Sequence, residues 1–190
     1  MTWKFRGSIV NDAMINSDVP KHDITVIERP KVAYNPSTTR YVLFVHVDTA
    51  DYSFVSIAVF QADDVIGPYV FVRIMRPNGL ESRDIGIFLD DDGTPYLLYA
   101  SGHVNTGLTI SSLSPDYTNT TGIMSTIQGS YEVPTIMRGN GGYYLMVSRT
   151  SGWDPNEGKL FWAEKLTGPW IDNGPISASS DSFNSQPTYL

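Results

Sequence analysis

The chain has 190 residues, enough for one ordinary domain with a real core or for part of a larger β architecture. Its 20 acidic and 13 basic residues give a net charge of −7 without any Lys/Arg cluster, which argues against nucleic acid as a partner. Zero Cys excludes disulfides, thiolate metal sites and a Cys nucleophile, and no window approaches 18 consecutive apolar residues, so no membrane partner is expected.

In chain order, "WKFRGSIV" near the N-terminus lacks a signal-peptide pattern and reads as the last strand of a preceding unit. Beyond it, apolar runs of five to eight residues alternate with Gly, Pro and Asn/Asp turns, the pattern of an all-β protein. Three segments align with one another: "ERPKVAYNPSTTRYVLFVHVD", "SRDIGIFLDDDGTPYLLYASG" and "YEVPTIMRGNGGYYLMVSRTS". Each is a polar residue, a short apolar strand, a tight turn and a longer aromatic-aliphatic strand. Outer-strand material follows each one, and two of the three close on Gly-Pro-aromatic: Gly67-Pro68-Tyr69 and Gly168-Pro169-Trp170.

The polar openers are Glu28, Asp84 and Glu132, and a fourth unit, "NSQPTYL", opens at Gln186; the intervals are 56, 48 and 54 residues. Periods of roughly 40 to 50 residues with about four strands each mark β-propeller blades. The expected fold is an all-β, five-bladed β-propeller, present as an incomplete piece. Residues 1–27 are read as the end of a preceding blade, 28–80, 81–130 and 131–180 as blades, and 181–190 as the first strand of the next. A non-repeating β-sandwich or an open three-blade stack are the competing architectures.

In a propeller the first strand of every blade lines the axis, so the four openers converge. Any one of these carboxyls alone is a solvated turn residue; three carboxyls and an amide at equivalent places predict a shared site. Crowded like charges predict that one carboxyl keeps its proton to unusually high pH, as a general acid must.

The segments "ERPKVAYN", "SRDIGIFLDDDGTPYLLY", "YEVPTIMRGNGGYYLMVSRTSGW", "LTGPW" and "NSQPT" resemble glycoside hydrolase family 43, and more narrowly its exo-β-1,3-galactanase subfamily, over nearly all of residues 1 to 190. That resemblance implies a monomeric, secreted, inverting enzyme that needs no cofactor and releases galactose from β-1,3-galactan, the arabinogalactan main chain. Glu132 in "YEVPT" matches the general acid, and Asp84 in "SRDIG" the Asp that tunes and orients it. Inversion needs a second group, with carboxyls roughly 6.5 to 9.5 Å apart and a water between. In the wider family that base is an Asp of the first blade; Asp12, Asp18 and Asp23 match no such motif. The galactanase-like pattern instead puts Gln186 near the reactive water with Glu28 in the pocket, although an amide is not ordinarily a base. It also implies sugar contacts at Tyr52, Asn105 and Thr150. A β-xylosidase or arabinan-degrading activity, an inactive fragment, a non-catalytic galactose-binding propeller and an interaction propeller are the alternatives.

Other residues have plainer readings beside functional ones. Arg29 holds a sugar hydroxyl or a carboxylate, or makes a structural ion pair with Glu28. Trp153, like Tyr52, stacks on a pyranose or plugs a blade junction. His46, inside an apolar strand, reads as hydrogen-bonded structure rather than a metal ligand; the resemblance leaves His103 within reach of the axis, but no metal signature is present. "LDDDGTP" and "RGNGG" are hairpin turns, not calcium or phosphate loops. The sequon Asn119-Thr120-Thr121 is compatible with secretion.

Overall fold

A computed structural model describes residues 2, 4–18, 22–102 and 106–187. Among them, the strands form three four-stranded antiparallel sheets, each a simple meander in which sequence neighbours pair. The first contains β1 (Val26–Asn35), β2 (Arg40–Asp48), β3 (Ser56–Ala62) and β4 (Val70–Met75). The second contains β5 (Ile85–Leu89), β6 (Pro95–Ser101), β7 (Gly107–Leu113) and β8 (Thr120–Gln128). The third contains β9 (Tyr131–Gly139), β10 (Gly142–Arg149), β11 (Lys159–Ala163) and β12 (Ile171–Pro175). The first strand of each sheet packs beside the first strand of the next, β1 against β5 and β5 against β9. This is the arrangement of consecutive propeller blades, and it turns the roughly fifty-residue sequence repeat into strands side by side around one axis.

Strand alternation explains how the blades stack. Side chains on a strand point alternately to the two faces, so Val42 and Phe44 face the second blade and meet Ile85, Leu97 and Tyr99. Leu43, Val45 and Val47 point the other way. Both faces of β2 are therefore buried, which is why "YVLFVHVD" reads as a nearly continuous apolar run. In the third blade Tyr143, Leu145 and Val147 pack toward Leu98, Leu108 and Ile110 of the second. The opposite face, with Tyr144, Met146, Leu160 and Trp162, is only partly covered. Both Gly-Pro bonds, Gly67-Pro68 and Gly168-Pro169, are cis and lie just before the outermost strand of their blades, reproducing the sequence repeat in backbone geometry.

Two terminal expectations are corrected. Residues 4–11 form no strand; they lead into the helix α1 (Asp12–Asp18), whose Ile15, with Ile24, packs on the face of the first blade formed by Leu43, Val45 and Phe60. Asn16 fastens this segment by exchanging two 3.0 Å hydrogen bonds with the backbone of Ile24. Among the described residues, the strand expected over "WKFRGSIV" is not formed. At the other end, Ser182–Asn184 make a 3-10 turn capped by Asp181, Ser185 is extended, and Ser185 to Pro187 belong to no strand. The strand expected at 181–190 is not formed among the described residues.

Contact between β5 and β9 is close because Gly86 lacks a side chain. A methyl there would run into the backbone carbonyl oxygen of Pro134, two residues beyond Glu132. Gly86→Ala is expected to destabilise the fold by about 1–3 kcal/mol, the usual cost of overpacking. Urea unfolding of parent and variant measures this.

Candidate active site

The four openers do converge, and a positive charge gathers them. Arg29 Nε donates to Asp84 Oδ1 at 2.9 Å, and its Nη2 donates to Gln186 Oε1 at 2.8 Å. Gln186 Nε2 in turn donates to Glu132 Oε1 at 3.0 Å. Since a guanidinium can only donate, the Gln186 oxygen must face Arg29, which leaves its NH2 group for Glu132. Of the readings open for Arg29, the structure shows a grip on a carboxylate, that of Asp84 in the second blade rather than Glu28; Arg29 has left-handed backbone (φ 52°) at a bulge of β1.

The same device recurs in the third blade. Val133, immediately after Glu132, has φ 53°, and a register shift lies opposite it in β10. Positive φ is costly for a β-branched residue and persists only where its surroundings impose it. Each bulge interrupts the strand just after a glutamate, so Glu28 and Glu132 are equivalent in backbone conformation as well as in sequence. Asp84 needs no bulge: it precedes β5, and its carbonyl accepts from Ala100 N–H at 2.9 Å.

Glu28, Arg29, His46, Tyr52, Arg83, Asp84, Glu132, Gly152 and Trp153 line one cavity of about 310 Å³. Gln186 reaches Glu132 from a smaller adjoining cleft that shares Trp153. Burial, reinforced by the negative charge of Asp84, pushes the Glu132 carboxyl up to about 7, although the Gln186 hydrogen bond and Arg29 pull the other way. One carboxyl therefore holds its proton far above the ordinary range, as the crowding of charges predicts. The orienting hydrogen bond on Glu132 comes from Gln186; Asp84 acts on it through charge.

Glu28 has the opposite character. The ring of His46 and the hydroxyl of Tyr52, which donates at 3.1 Å, hold its carboxyl below the usual value despite partial burial. His46 Nδ1 lies 3.4 Å from Glu28 Oε2, near enough for strong attraction between charges though short of a well-formed hydrogen bond. On the other side, His46 Nε2 is 3.2 Å from Asp48 Oδ2. Burial opposes a charge on His46, yet the two carboxylates together outweigh it and keep its pKa above the ordinary value. His46 is thus hydrogen-bonded structure, as read from its strand, and among the described residues no group of three or more His, Asp or Glu is arranged to hold a metal ion.

The remaining expectations divide. Tyr52 sits on the loop after β2 and faces the cavity; Trp153 lines its rim and is 84% exposed, an unspent aromatic face rather than a junction plug. Thr150, half-buried just past β10, does not line the cavity. Asn105 and His103 lie outside the described residues. The contribution of Asp48 was missed, yet its signal was present: His46 and Asp48 are two apart in an otherwise apolar strand, so they share one face.

A profile of the glycosyl hydrolases family 43 matches residues 33–187. The chain belongs to this family. No curated protein matches it. Among solved structures it is similar to the exo-β-1,3-galactanase of Phanerochaete chrysosporium, solved with β-1,3-galactotriose and with galactose: 40% identity, TM-score 0.83, covering 86% of this chain and 39% of that one. The exo-β-1,3-galactanase of Clostridium thermocellum is 31% identical with a TM-score of 0.79, over 86% of this chain and 38% of that one. The chain thus spans well under half the length of these family 43 enzymes, and its three sheets are a partial propeller.

The raised Glu132 pKa has a consequence for stability. Between about 4.5 and about 7, folded protein holds a proton that the unfolded chain releases, so this residue's contribution becomes increasingly unfavourable as pH rises through that window. Glu132→Gln is expected to remove that slope, gaining on the parent as pH increases. Denaturant midpoints of both chains from pH 4 to 8 test it.

Proposed function

We propose that the cavity is the active centre of an inverting, exo-acting glycoside hydrolase that releases galactose from β-1,3-galactan. The observation that carries this reading is the placement of Glu132, a carboxyl buried beside the charge of Asp84 and gripped by Gln186, facing a sugar-sized cavity with an exposed Trp153 at its rim. Because Gln186 donates to Oε1, the acidic proton of Glu132 belongs on Oε2, the oxygen left free to protonate a departing glycosidic oxygen. Asp84 keeps that proton in place near neutrality and is itself held by Arg29. Gln186 retains a lone pair on its carbonyl oxygen, and Glu28 is an anionic acceptor; together they would orient the attacking water and a sugar hydroxyl. Trp153 and Tyr52 offer aromatic faces to the apolar side of a pyranose. Similarity to galactanases solved with galactose and β-1,3-galactotriose supports galactan over other substrates. We extend the proposal to secretion, which the exposure of Asn119 in its sequon supports.

A second reading, a propeller that binds galactose without cleaving it, is favoured by one observation: among the described residues, the other two carboxyls of the cavity are both engaged, Asp84 by Arg29 and Glu28 by His46 and Tyr52. Release of galactose from β-1,3-galactotriose separates the two. For the hydrolase, Glu132→Gln is expected to lower turnover by roughly 10²–10⁴-fold, the usual worth of a general acid, while galactose affinity is kept. Absence of turnover in the parent with retained affinity would favour the binding protein. The kcat/KM of the parent is expected to fall as pH rises through about 7, where Glu132 loses its proton; a pH profile that continues to rise there would exclude Glu132 as the acid.

A further inference from the structure

The side-chain arrangement behind Glu28 contains more hydrogen-bonding groups than the proposed chemistry uses. Glu28 and His46 are directly opposite in the pairing of β1 with β2, and Asp48 lies two residues farther along β2 on the same face. His46 is 1% exposed and Asp48 is 0% exposed. The other groups packed around the ring are the Tyr52 side chain and, from β3, the apolar Ile57 opposite His46.

Counting protons decides the state of the ring. Asp48 Oδ1 accepts from the backbone N–H groups of Thr49, Phe54 and Val55 at 2.9, 2.8 and 3.1 Å. A carboxylate so engaged accepts only, so His46 Nε2 must donate to Oδ2. A neutral ring with its proton on Nε2 would then turn a bare Nδ1 lone pair toward Glu28 Oε2, placing two acceptors 3.4 Å apart in a buried setting. A proton between Nδ1 and Oε2 removes that repulsion. Imidazole is the stronger base, Asp48 stabilises its cation, and the Tyr52 hydroxyl stabilises the Glu28 anion, so the proton resides on His46.

Asp48 also works in a second way. Its three backbone contacts close the loop that carries Tyr52, the residue that donates to the other oxygen of Glu28. We propose that the buried Asp48–His46 pair is a positioning element of the site: a fixed cation behind Glu28 that keeps this carboxylate ionised and turned to the cavity, while Asp48 holds the Tyr52 wall against it. The charge arrangement stands by itself; its importance for sugar binding rests on the reading of the cavity given above.

Two measurements on the folded chain test this. In nitrogen-15 spectra of the parent at pH 7, both ring nitrogens of His46, assigned by comparison with His46→Gln, are expected to be protonated; one bare nitrogen would overturn the proposal. The carbon-13 titration of the Glu28 carboxyl is expected to move upward in His46→Gln and in Asp48→Asn, with Glu28→Gln providing the assignment. An unchanged titration in a folded variant would overturn it, because a ring that only fills space would leave the charge of Glu28 unaffected. If a variant unfolds, the ring state in the parent still decides. With galactose as probe, both variants are expected to bind about 10-fold more weakly at pH 7, in line with loss of a buried charged partner. A parent that binds no galactose would count against the sugar site, leaving the proton arrangement to be judged by the two spectra.

Discussion

Arg29 is the hinge of the site. Its planar fork takes Asp84 from the second blade with one nitrogen and the Gln186 amide with another, and through Gln186 it governs how Glu132 of the third blade is held. Carboxyls brought together at the axis of a propeller repel one another, and in partial burial that repulsion is strong. A single cation placed among them neutralises one carboxylate and leaves another to relieve the crowding by keeping its proton. Burial and the charge of Asp84 together keep the proton on Glu132, and the one guanidinium within reach pairs with Asp84 rather than with it. Glu28 avoids the same fate through a different cation, His46.

Backbone irregularity makes that reach possible. A regular strand would point Arg29 to the face opposite Glu28 and continue the ladder; the bulge with φ 52° turns it toward the neighbouring blade. The matching bulge at Val133 frees Glu132 from the ladder in the same manner. These positions cost local stability, which the apolar stacking between blades must offset. The clusters joining Phe44 to Leu97 and Tyr143 to Leu98 are well placed to do so, since Phe44 and Tyr143 lie on β2 and β10, the strands paired with the bulged β1 and β9.

Charged and polar groups are distributed accordingly. The face of β2 turned toward the second blade begins apolar, at Val42 and Phe44, and becomes polar at His46 and Asp48 as it nears the cavity. At the far end of the blades, Asp90 accepts from Arg138 at 2.9 Å and from Tyr143 at 2.6 Å, tying the β5–β6 turn to the third blade. The second blade is thus pinned to the first at the cavity end and to the third at the far end, with apolar contact between.

Much of this was legible in the sequence because hairpin turns and strand periodicity are local. The three repeated segments, their tight turns and the Gly-Pro-aromatic closures determined an all-β chain of blades, and the recurrence of a polar opener about every fifty residues determined that Glu28, Asp84, Glu132 and Gln186 would meet. Resemblance to family 43 assigned expected roles that spacing could not. Where local signals were weak, structure and expectation part: residues 4–11 form no strand, and the segment after them is a short helix whose Ile15, with Ile24, covers an apolar blade face. Only the tertiary structure decided which partner Arg29 takes, that the Gln186 amide rather than Asp84 grips Glu132, and that Asp48 and His46 stand behind Glu28. Those choices depend on distances of a few ångströms between residues up to 157 positions apart, set by bulges and blade stacking. Residue type and order specify which groups are available; the low-dielectric space in which they meet specifies which of them keeps a proton.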